Sequence, residues 1–337
     1  MNYKYTYTSL TRISDLKEKG FDLLTLNRTQ WEICDYVVAE VVYPSNGELM
    51  VELDNGRMLE PMKGDLLVGA FGVRHATLEA TGTWEKITDD GNMHLLTGAG
   101  LFGQLTSKSI FVPNLIEVRY LGHVTRQGKK VRMLDFRPSP DLKTLTKPVV
   151  LLVGTSMSAG KTTAGRIVTR ILREQGRRVV GAKLTGAGRF KDILALKDAG
   201  AECVFDFVDV GFPSSIFPIK EYKEGLKVLL SLIESCRADI AVIEIGASPL
   251  EPYNGAVAID EIRNNLSCTI LCASDPYAVY GVMKSFDIIP TVVSGASTNT
   301  LAGIELIEKL CKVPAINIIE TDNLPPVRNI LSYCAVT

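Results

Sequence analysis

Residues 154–163 combine small residues, a lysine and two threonines in an order that suits phosphate binding. In such a loop the backbone N–H groups point inward around a β-phosphate, and the N-terminus of the following helix adds partial positive charge. Lys161 would reach the β- and γ-phosphates, Thr162 would bind Mg²⁺ through its hydroxyl, and Thr163 would donate to the α-phosphate. The predicted nucleotide-binding residues are Gly154, Thr155, Ser156, Met157, Ser158, Ala159, Gly160, Lys161, Thr162 and Thr163.

The spacing of this loop differs from the usual phosphate-binding pattern. Five residues separate Gly154 from Gly160, whereas the pattern G-x-x-x-x-G-K-[ST] has four, and Thr155 occupies the position of its first glycine. A strand, a loop and a helix are nevertheless predicted in the required order, so nucleotide binding is the main expectation here.

Three further residues at predicted strand or loop ends carry charges that suit phosphoryl chemistry. Glu244 follows the apolar run 240–243, which would place its carboxylate at the edge where ligands bind in such sheets. Asp192 is either a second metal ligand or part of a helix start, and both interpretations stay open. Lys183 would neutralise an anionic substrate or transition state unless it is a solvated loop charge. The predicted catalytic residues are Lys161, Lys183 and Glu244, and the predicted metal ligands are Thr162, Glu244 and Asp192.

The second half of the chain has the alternating sequence pattern that is typical of an α/β fold. Apolar runs bounded by glycine alternate with helix-length amphipathic stretches, which predicts a P-loop domain with a mainly parallel sheet. The predicted strands are 149–153, 178–183, 203–208, 240–245, 268–273, 288–293 and 313–318, and the predicted helices are 160–175 and 301–310.

The first half reads as short strands separated by turns. Residues 36–43 are β-branched and aromatic, and the alternating run 48–53 leads into Asp54-Asn55-Gly56, a strong hairpin signal. This pattern predicts a smaller, mostly antiparallel β-rich domain, either a barrel or a sandwich. We therefore expect a β-rich domain at residues 1–141 and a P-loop nucleotide-binding α/β domain at residues 148–337.

Composition and charge restrict the function classes. The 337 residues carry 37 Lys and Arg against 38 Asp and Glu, so no basic field favours nucleic-acid binding. No apolar run is long enough for a membrane span, and the polar start lacks a signal peptide. The seven cysteines form no CxxC pair and are expected to be reduced and buried. These features predict a cytoplasmic protein.

The loop 154–162 resembles the extended P-loop of dethiobiotin synthetase, which reads G-T-D-x-x-V-G-K-T, in a class that includes cobyrinic acid amide synthases and MinD-type ATPases. Segments 181–186, 243–248 and 294–299 agree with that family in order and spacing, and the last lies where the family reads the base. The resemblance covers about residues 148–325. Ser156 replaces the family's Asp, and the turn after Glu244 differs, so the biotin-precursor reaction itself is not expected.

Segment 244–255 is more similar to a less characterised branch of this class, some of whose members are described as amino-acid N-acyltransferases. This branch has a loop of the type E-G-Q-G-S-L-x-H-P-A-Y after the strand-end glutamate. The N-terminal half resembles neither group.

The leading hypothesis from the sequence is an ATP- and Mg²⁺-dependent enzyme, of kinase or ligase type, that phosphorylates or activates a small anionic metabolite at a carboxylate or hydroxyl. ATP is favoured over GTP because the guanine-reading motif Asn-Lys-x-Asp is absent. An amino-acid N-acyltransferase-like enzyme that binds coenzyme A, and a nucleotide-dependent switch ATPase, remain as alternatives. Relatives of this sheet type are often dimers, so a homodimer or higher homo-oligomer is also expected.

Overall fold

A computed structural model describes residues 4–45, 49–320 and 324–334 of the chain. Its described residues cluster into two compact units. The first unit contains residues up to 139 together with 187–191 and 207–216, and the second contains 140–186, 192–206 and the residues from 217 onward. The chain therefore leaves the second unit twice and returns to it, whereas the sequence predicts one uninterrupted domain at 148–337.

The first unit is built on one large, mostly antiparallel sheet. Within the described residues, five of its strands close into a barrel in the order β6-β3-β11-β9-β10, with β10 pairing β6 in parallel. Buried side chains of Trp31, Phe71 and Phe102 lie in its core. The expected β-rich architecture is thus present, and it is a barrel. Its elements are β1 (Tyr5–Tyr7), α1 (Leu16–Lys19), β2 (Asp22–Leu24), β3 (Tyr36–Tyr43), β4 (Val51–Glu52), β5 (Met58–Leu59), β6 (Leu66–Phe71), β7 (Val73–His75), β8 (Ala80–Thr83), β9 (Asn92–Thr97), β10 (Leu101–Lys108), β11 (Glu117–Arg126) and β12 (Lys129–Lys130).

The second unit has a six-stranded sheet in the order β15-β14-β16-β13-β17-β18, and every described pairing in it is parallel. Strands β13, β14 and β16 are buried along their whole length, as expected for a parallel sheet with both faces covered. This confirms the α/β fold with a P-loop and a mainly parallel sheet. Its elements are β13 (Val149–Gly154), α2 (Lys161–Glu174), β14 (Val179–Thr185), α3 (Phe190–Asp198), β15 (Cys203–Asp206), α4 (Ile219–Ser235), β16 (Ile240–Ile245), α5 (Gly255–Ile262), β17 (Leu266–Cys272), α6 (Pro276–Phe286), β18 (Val292–Ser294), α7 (Leu301–Cys311) and α8 (Leu324–Cys334).

Several predicted elements differ from the observed ones. The strand expected at 313–318 is absent from the described fold, because Pro314 has no N–H to donate and only an isolated bridge joins Ala315 to Val293. The strand expected at 203–208 ends at Asp206, where a 3-10 helix takes over. Of the strand expected at 48–53, only Val51–Glu52 is present, and residue 48 lies outside the described residues.

The cysteines also differ from expectation. Cys203 and Cys236 form a disulfide that joins the start of β15 to the end of α4, so the prediction that all the cysteines are reduced was wrong. The other five are free and buried. Over the described ranges, the structure has no helix that is both long and apolar enough to cross a membrane.

Candidate functional site

The P-loop connects the end of β13 to the start of α2. Gly160 immediately precedes α2 and has φ +102°, a left-handed conformation that glycine adopts without steric cost. At Gly154 a Cβ atom would lie 2.9 Å from the Cδ and Nζ atoms of Lys161. The missing side chain at Gly154 therefore leaves space for the lysine to fold back over the end of the strand.

Lys161 is 2% exposed, and its ammonium donates a hydrogen bond to the Ser156 carbonyl oxygen at 2.6 Å. Burial lowers the pKa of Lys161, while the carboxylate of Glu244 acts in the opposite direction. The Lys161 ammonium is thus a desolvated cation, and a neutral carbonyl oxygen of the loop accepts its hydrogen bond. An anionic phosphate in the loop would supply the counter-charge that this ammonium needs.

Thr162 and Glu244 form the pair that best fits a magnesium ion. Thr162 Oγ1 donates to Glu244 Oε2 at 3.1 Å, and Glu244 is 5% exposed. The two residues are brought together because β16 pairs β13, with Glu244 opposite Leu152. A hydroxyl beside a carboxylate is an oxygen-donor set that Mg²⁺ prefers when phosphate oxygens complete its shell. The described residues contain no cluster of three or more His, Cys, Asp or Glu for a metal, so these two would depend on such phosphate oxygens.

Lys183 lies one strand further along the same edge. On β14 it is opposite Glu244 of β16, and its ammonium contacts Asp192 Oδ2 at 2.5 Å. Burial alone would lower the pKa of Lys183, but the carboxylates of Asp192 and Glu244 outweigh it and raise the pKa above its usual value. Asp192 lies in the first turn of α3, and its carboxylate pairs with the Lys183 ammonium.

The P-loop is supported from the side of β17 and β18. Gly295, with φ +93°, lies against the P-loop so closely that a Cβ atom there would be 2.3 Å from the Ala159 carbonyl oxygen. The Thr155 hydroxyl accepts a hydrogen bond from the Ser274 backbone N–H at 3.0 Å. Within the loop, Met157 is half-buried and Ser158 is exposed.

Sequence reasoning did not identify Ser274 or Cys272 as neighbours of the loop. Cys272 ends β17 opposite Gly154, and burial raises the pKa of its thiol to about 12. The sequence nevertheless contained a signal that Ser274 lies near the site. It precedes Asp275-Pro276 at the end of a predicted strand, where ligands bind to a parallel sheet. Among the predicted residues, Lys161, Thr162 and Glu244 come together, Lys183 pairs with Asp192, and the Thr163 side chain is exposed.

No protein-family model matches the chain, and no curated protein matches it. Among solved structures, chloroplast FtsY from Physcomitrella patens is 14% identical, covers 54% of this chain and 63% of its own, and has a TM-score of 0.34. A protein of the DUF1611 family from Anabaena variabilis is 14% identical over 61% of this chain and 65% of its own, with a TM-score of 0.37. HypB from Helicobacter pylori, solved in complex with nickel, is 15% identical over 56% of this chain and 87% of its own, with a TM-score of 0.35. The match thus spans less than two thirds of the length of the first two proteins.

Proposed function

We propose that this chain binds a nucleoside triphosphate together with Mg²⁺, cleaves its γ-phosphoryl group, and acts as a nucleotide-dependent switch. The observation that carries this proposal is the contact of 3.1 Å between the Thr162 hydroxyl and the buried Glu244 carboxylate, beside the desolvated ammonium of Lys161. A magnesium ion held by this pair would neutralise charge on the β- and γ-phosphates.

The chain's own residues have separate tasks in this scheme. The N–H groups of the loop bind phosphate oxygens, and Lys161 exchanges the Ser156 carbonyl for a phosphate oxygen. Thr162 and Glu244 would hold the magnesium ion through their oxygen atoms. In hydrolysis, water attacks the γ-phosphorus, the bond to the β–γ bridging oxygen breaks, and inorganic phosphate and the nucleoside diphosphate leave.

The path of the chain supports a switch. β14 is followed by segment 187–191, and β15 is followed by segment 207–216, and both segments belong to the first compact unit. The residues just after two strand ends of the nucleotide-binding sheet are therefore also part of the β-rich unit.

We propose ATP as the nucleotide because the chain lacks the motif Asn-Lys-x-Asp.

A second candidate is an enzyme that phosphorylates or activates a small anionic metabolite. The buried ammonium of Lys183, on the strand next to Glu244, favours it, because such a cation would attract a carboxylate substrate. In that reaction the γ-phosphoryl group passes to the metabolite's oxygen instead of water. A closer relation to dethiobiotin synthetase, an acyl transfer with coenzyme A, a homodimer and a cytoplasmic location stay predictions.

Isothermal titration calorimetry with ATP, GTP, ADP and acetyl-CoA, each with and without Mg²⁺, tests the proposal. We expect Mg²⁺ to strengthen ATP binding, and Lys161→Ala to weaken it by more than about tenfold. Thr162→Ala and Glu244→Gln should remove the Mg²⁺ enhancement, whereas Thr162→Ser should keep it. Lys309→Ala, which removes an exposed lysine of α7, is the matched control.

Phosphate release separates the candidates. Slow release from ATP alone supports the switch, and release that requires an added carboxylate metabolite supports the second candidate. Binding of acetyl-CoA alone would move the assignment to acyl transfer. Equal ATP affinity of wild type and Lys161→Ala would overturn both phosphoryl-transfer functions.

A further inference from the structure

Glu52 is a buried carboxylate of the first unit that accepts three hydrogen bonds. It is 1% exposed and belongs to β4. Its Oε2 atom accepts from the Ser9 hydroxyl at 2.5 Å and from the Phe190 N–H at 2.7 Å, and its Oε1 atom accepts from the Lys191 N–H at 2.7 Å. Phe190 and Lys191 belong to the same compact unit as Glu52.

These bonds fix the first turn of α3. The first N–H groups of a helix have no acceptor inside the helix, and a carboxylate there also interacts favourably with the helix dipole. Glu52 satisfies two of these groups at once. The Phe190 side chain makes a second contact, a cation–π interaction with the Arg12 guanidinium, which lies 4.5 Å from the ring centroid. Arg12 is itself held by an ion pair with Asp209 at 3.1 Å.

The same helix carries the residue that binds Lys183. α3 runs from Phe190 to Asp198 as one continuous helix, and its residues from Asp192 onward belong to the second unit. Asp192 is two residues, about 3 Å of helix rise, from Phe190. A helix moves as a rigid element over so short a length, so the position of its first turn determines where the Asp192 carboxylate meets the Lys183 ammonium, at 2.5 Å.

We propose that Glu52 is a positioning residue for the nucleotide site. By binding the first two N–H groups of α3 it holds Asp192 where that carboxylate orients Lys183. The proposal deepens the proposed function and rests on it, because through α3 the Glu52 carboxylate sets the position of the Lys183 ammonium at the sheet edge. It assigns no direct contact between Glu52 and the nucleotide.

A double-mutant cycle on nucleotide hydrolysis tests this proposal. Glu52→Gln keeps the size of the side chain but removes the charge and one acceptor, and we expect kcat to fall by about three- to tenfold while KM for MgATP changes less than about twofold. In an Asp192→Asn background the same substitution should cause no further fall. Independent, multiplying effects of the two substitutions would overturn the proposal.

A second measurement does not depend on nucleotide binding. Acylation of the Lys183 amine by an N-hydroxysuccinimide ester, followed by peptide mass spectrometry, reports how firmly Asp192 holds the amine. We expect labelling to rise at least about threefold in both Glu52→Gln and Asp192→Asn, and less in Ser9→Ala, which removes a single hydrogen bond to Glu52.

Glu40→Gln is the control, because the Glu40 carboxylate of the same unit pairs with Arg119 at the surface. Its labelling should equal that of the wild type. Unchanged labelling in Glu52→Gln and Ser9→Ala, with increased labelling in Asp192→Asn, would overturn the role of Glu52. A wild-type protein that binds no nucleotide would instead overturn the proposed function, and the labelling experiment would still decide the role of Glu52.

Discussion

At the scale of single residues, the site depends on where side chains are missing as much as on where they are present. Gly154 leaves room for the Lys161 side chain, and Gly295 allows a second segment to lie directly against the P-loop. On the side of Gly295 the loop therefore packs against backbone, which cannot move aside as a flexible side chain can. This close packing holds the N–H groups of the loop in position before any phosphate arrives.

We expect Gly295→Ala to destabilise the protein by about 2–4 kcal/mol, because the new Cβ would meet backbone atoms and the residue has φ +93°. Urea unfolding measures the loss, and ATP binding should fall with it because Ala159 is displaced. The control is Gly281→Ala in the interior of α6, where a Cβ atom would meet nothing within 4 Å. That variant should be more stable by about 0.5–1 kcal/mol. Equal stability of the two variants would contradict the close approach at Gly295.

The residues that bind phosphate were predictable from the sequence because their chemistry is local. The order of Gly160, Lys161 and Thr162 after an apolar run requires only a strand, a loop and a helix. The pairing of Lys183 with Asp192 was not predictable, because it depends on where α3 begins. That position in turn depends on Glu52, which lies 138 residues before Phe190 in the chain.

At the scale of elements, the parallel sheet is also tied together at the edge where its strands begin. Arg178 precedes β14, Asp239 precedes β16, and their side chains are joined at 2.5 Å. The Asp239 carboxylate accepts from the guanidinium and from the backbone N–H of Arg178, and these bonds lower the pKa of Asp239 to about 2. This ion pair thus holds two neighbouring strands in register.

Because the pKa of Asp239 is lower in the folded protein, its contribution is complete above the ordinary carboxyl pKa and is lost as the pH falls through about 2. We expect Asp239→Asn to lower Tm by about 1–2 °C at pH 7, a small effect because the pair is partly exposed. The difference from wild type should disappear between pH 4 and pH 2. Arg178→Gln should cause the same loss, with no further loss in the double variant. A difference in Tm that persists at pH 2 would contradict this explanation.

The disulfide between Cys203 and Cys236 should also stabilise the second unit. It closes a loop of 33 residues between the edge strand β15 and the end of α4, and the chain-entropy model assigns about 3–4 kcal/mol to such a loop. We expect dithiothreitol, or the double substitution Cys203→Ser and Cys236→Ser, to shift urea unfolding to lower concentration. A reductant should have no further effect on the double variant. If reductant leaves the wild-type transition unchanged, the bond is not formed in solution.

Element types were easier to predict than element limits. The apolar runs around β13, β16 and β17 identified buried parallel strands, whereas the run at 313–318, which contains Pro314 and Asn317, forms only a bridge. Closure of the barrel was also beyond the sequence, because the pairing of β10 with β6 joins strands about 30 residues apart through a few backbone bonds.

At the scale of the whole molecule, the two compact units are not two consecutive stretches of sequence. Segment 187–191 supplies the N–H groups bound by Glu52, and the Thr97 hydroxyl donates to the Gly188 carbonyl oxygen at 3.3 Å. An isolated bridge joins Ala187 to Ser214. The first unit is therefore completed by residues that follow the P-loop in the chain.

We expect a fragment of residues 1–139 to lack cooperative unfolding, because it would leave the buried Glu52 carboxylate without the backbone N–H donors of α3. Near-UV circular dichroism and urea unfolding of the fragment, compared with the full chain, measure this. A fragment with native-like near-UV bands and a sharp transition would show that the later segments are dispensable.

The return of the chain into its first unit also limits how this protein can have been inherited. Genetic recombination exchanges continuous stretches of a gene, and an exchange near codon 140 would separate Glu52 from the helix start that it binds. The product of such an exchange would combine a barrel from one lineage with the segments that complete it, such as residues 187–191, from another lineage. The two units are therefore expected to have descended together, with substitutions around Glu52 and around residues 187–191 appearing as matched pairs.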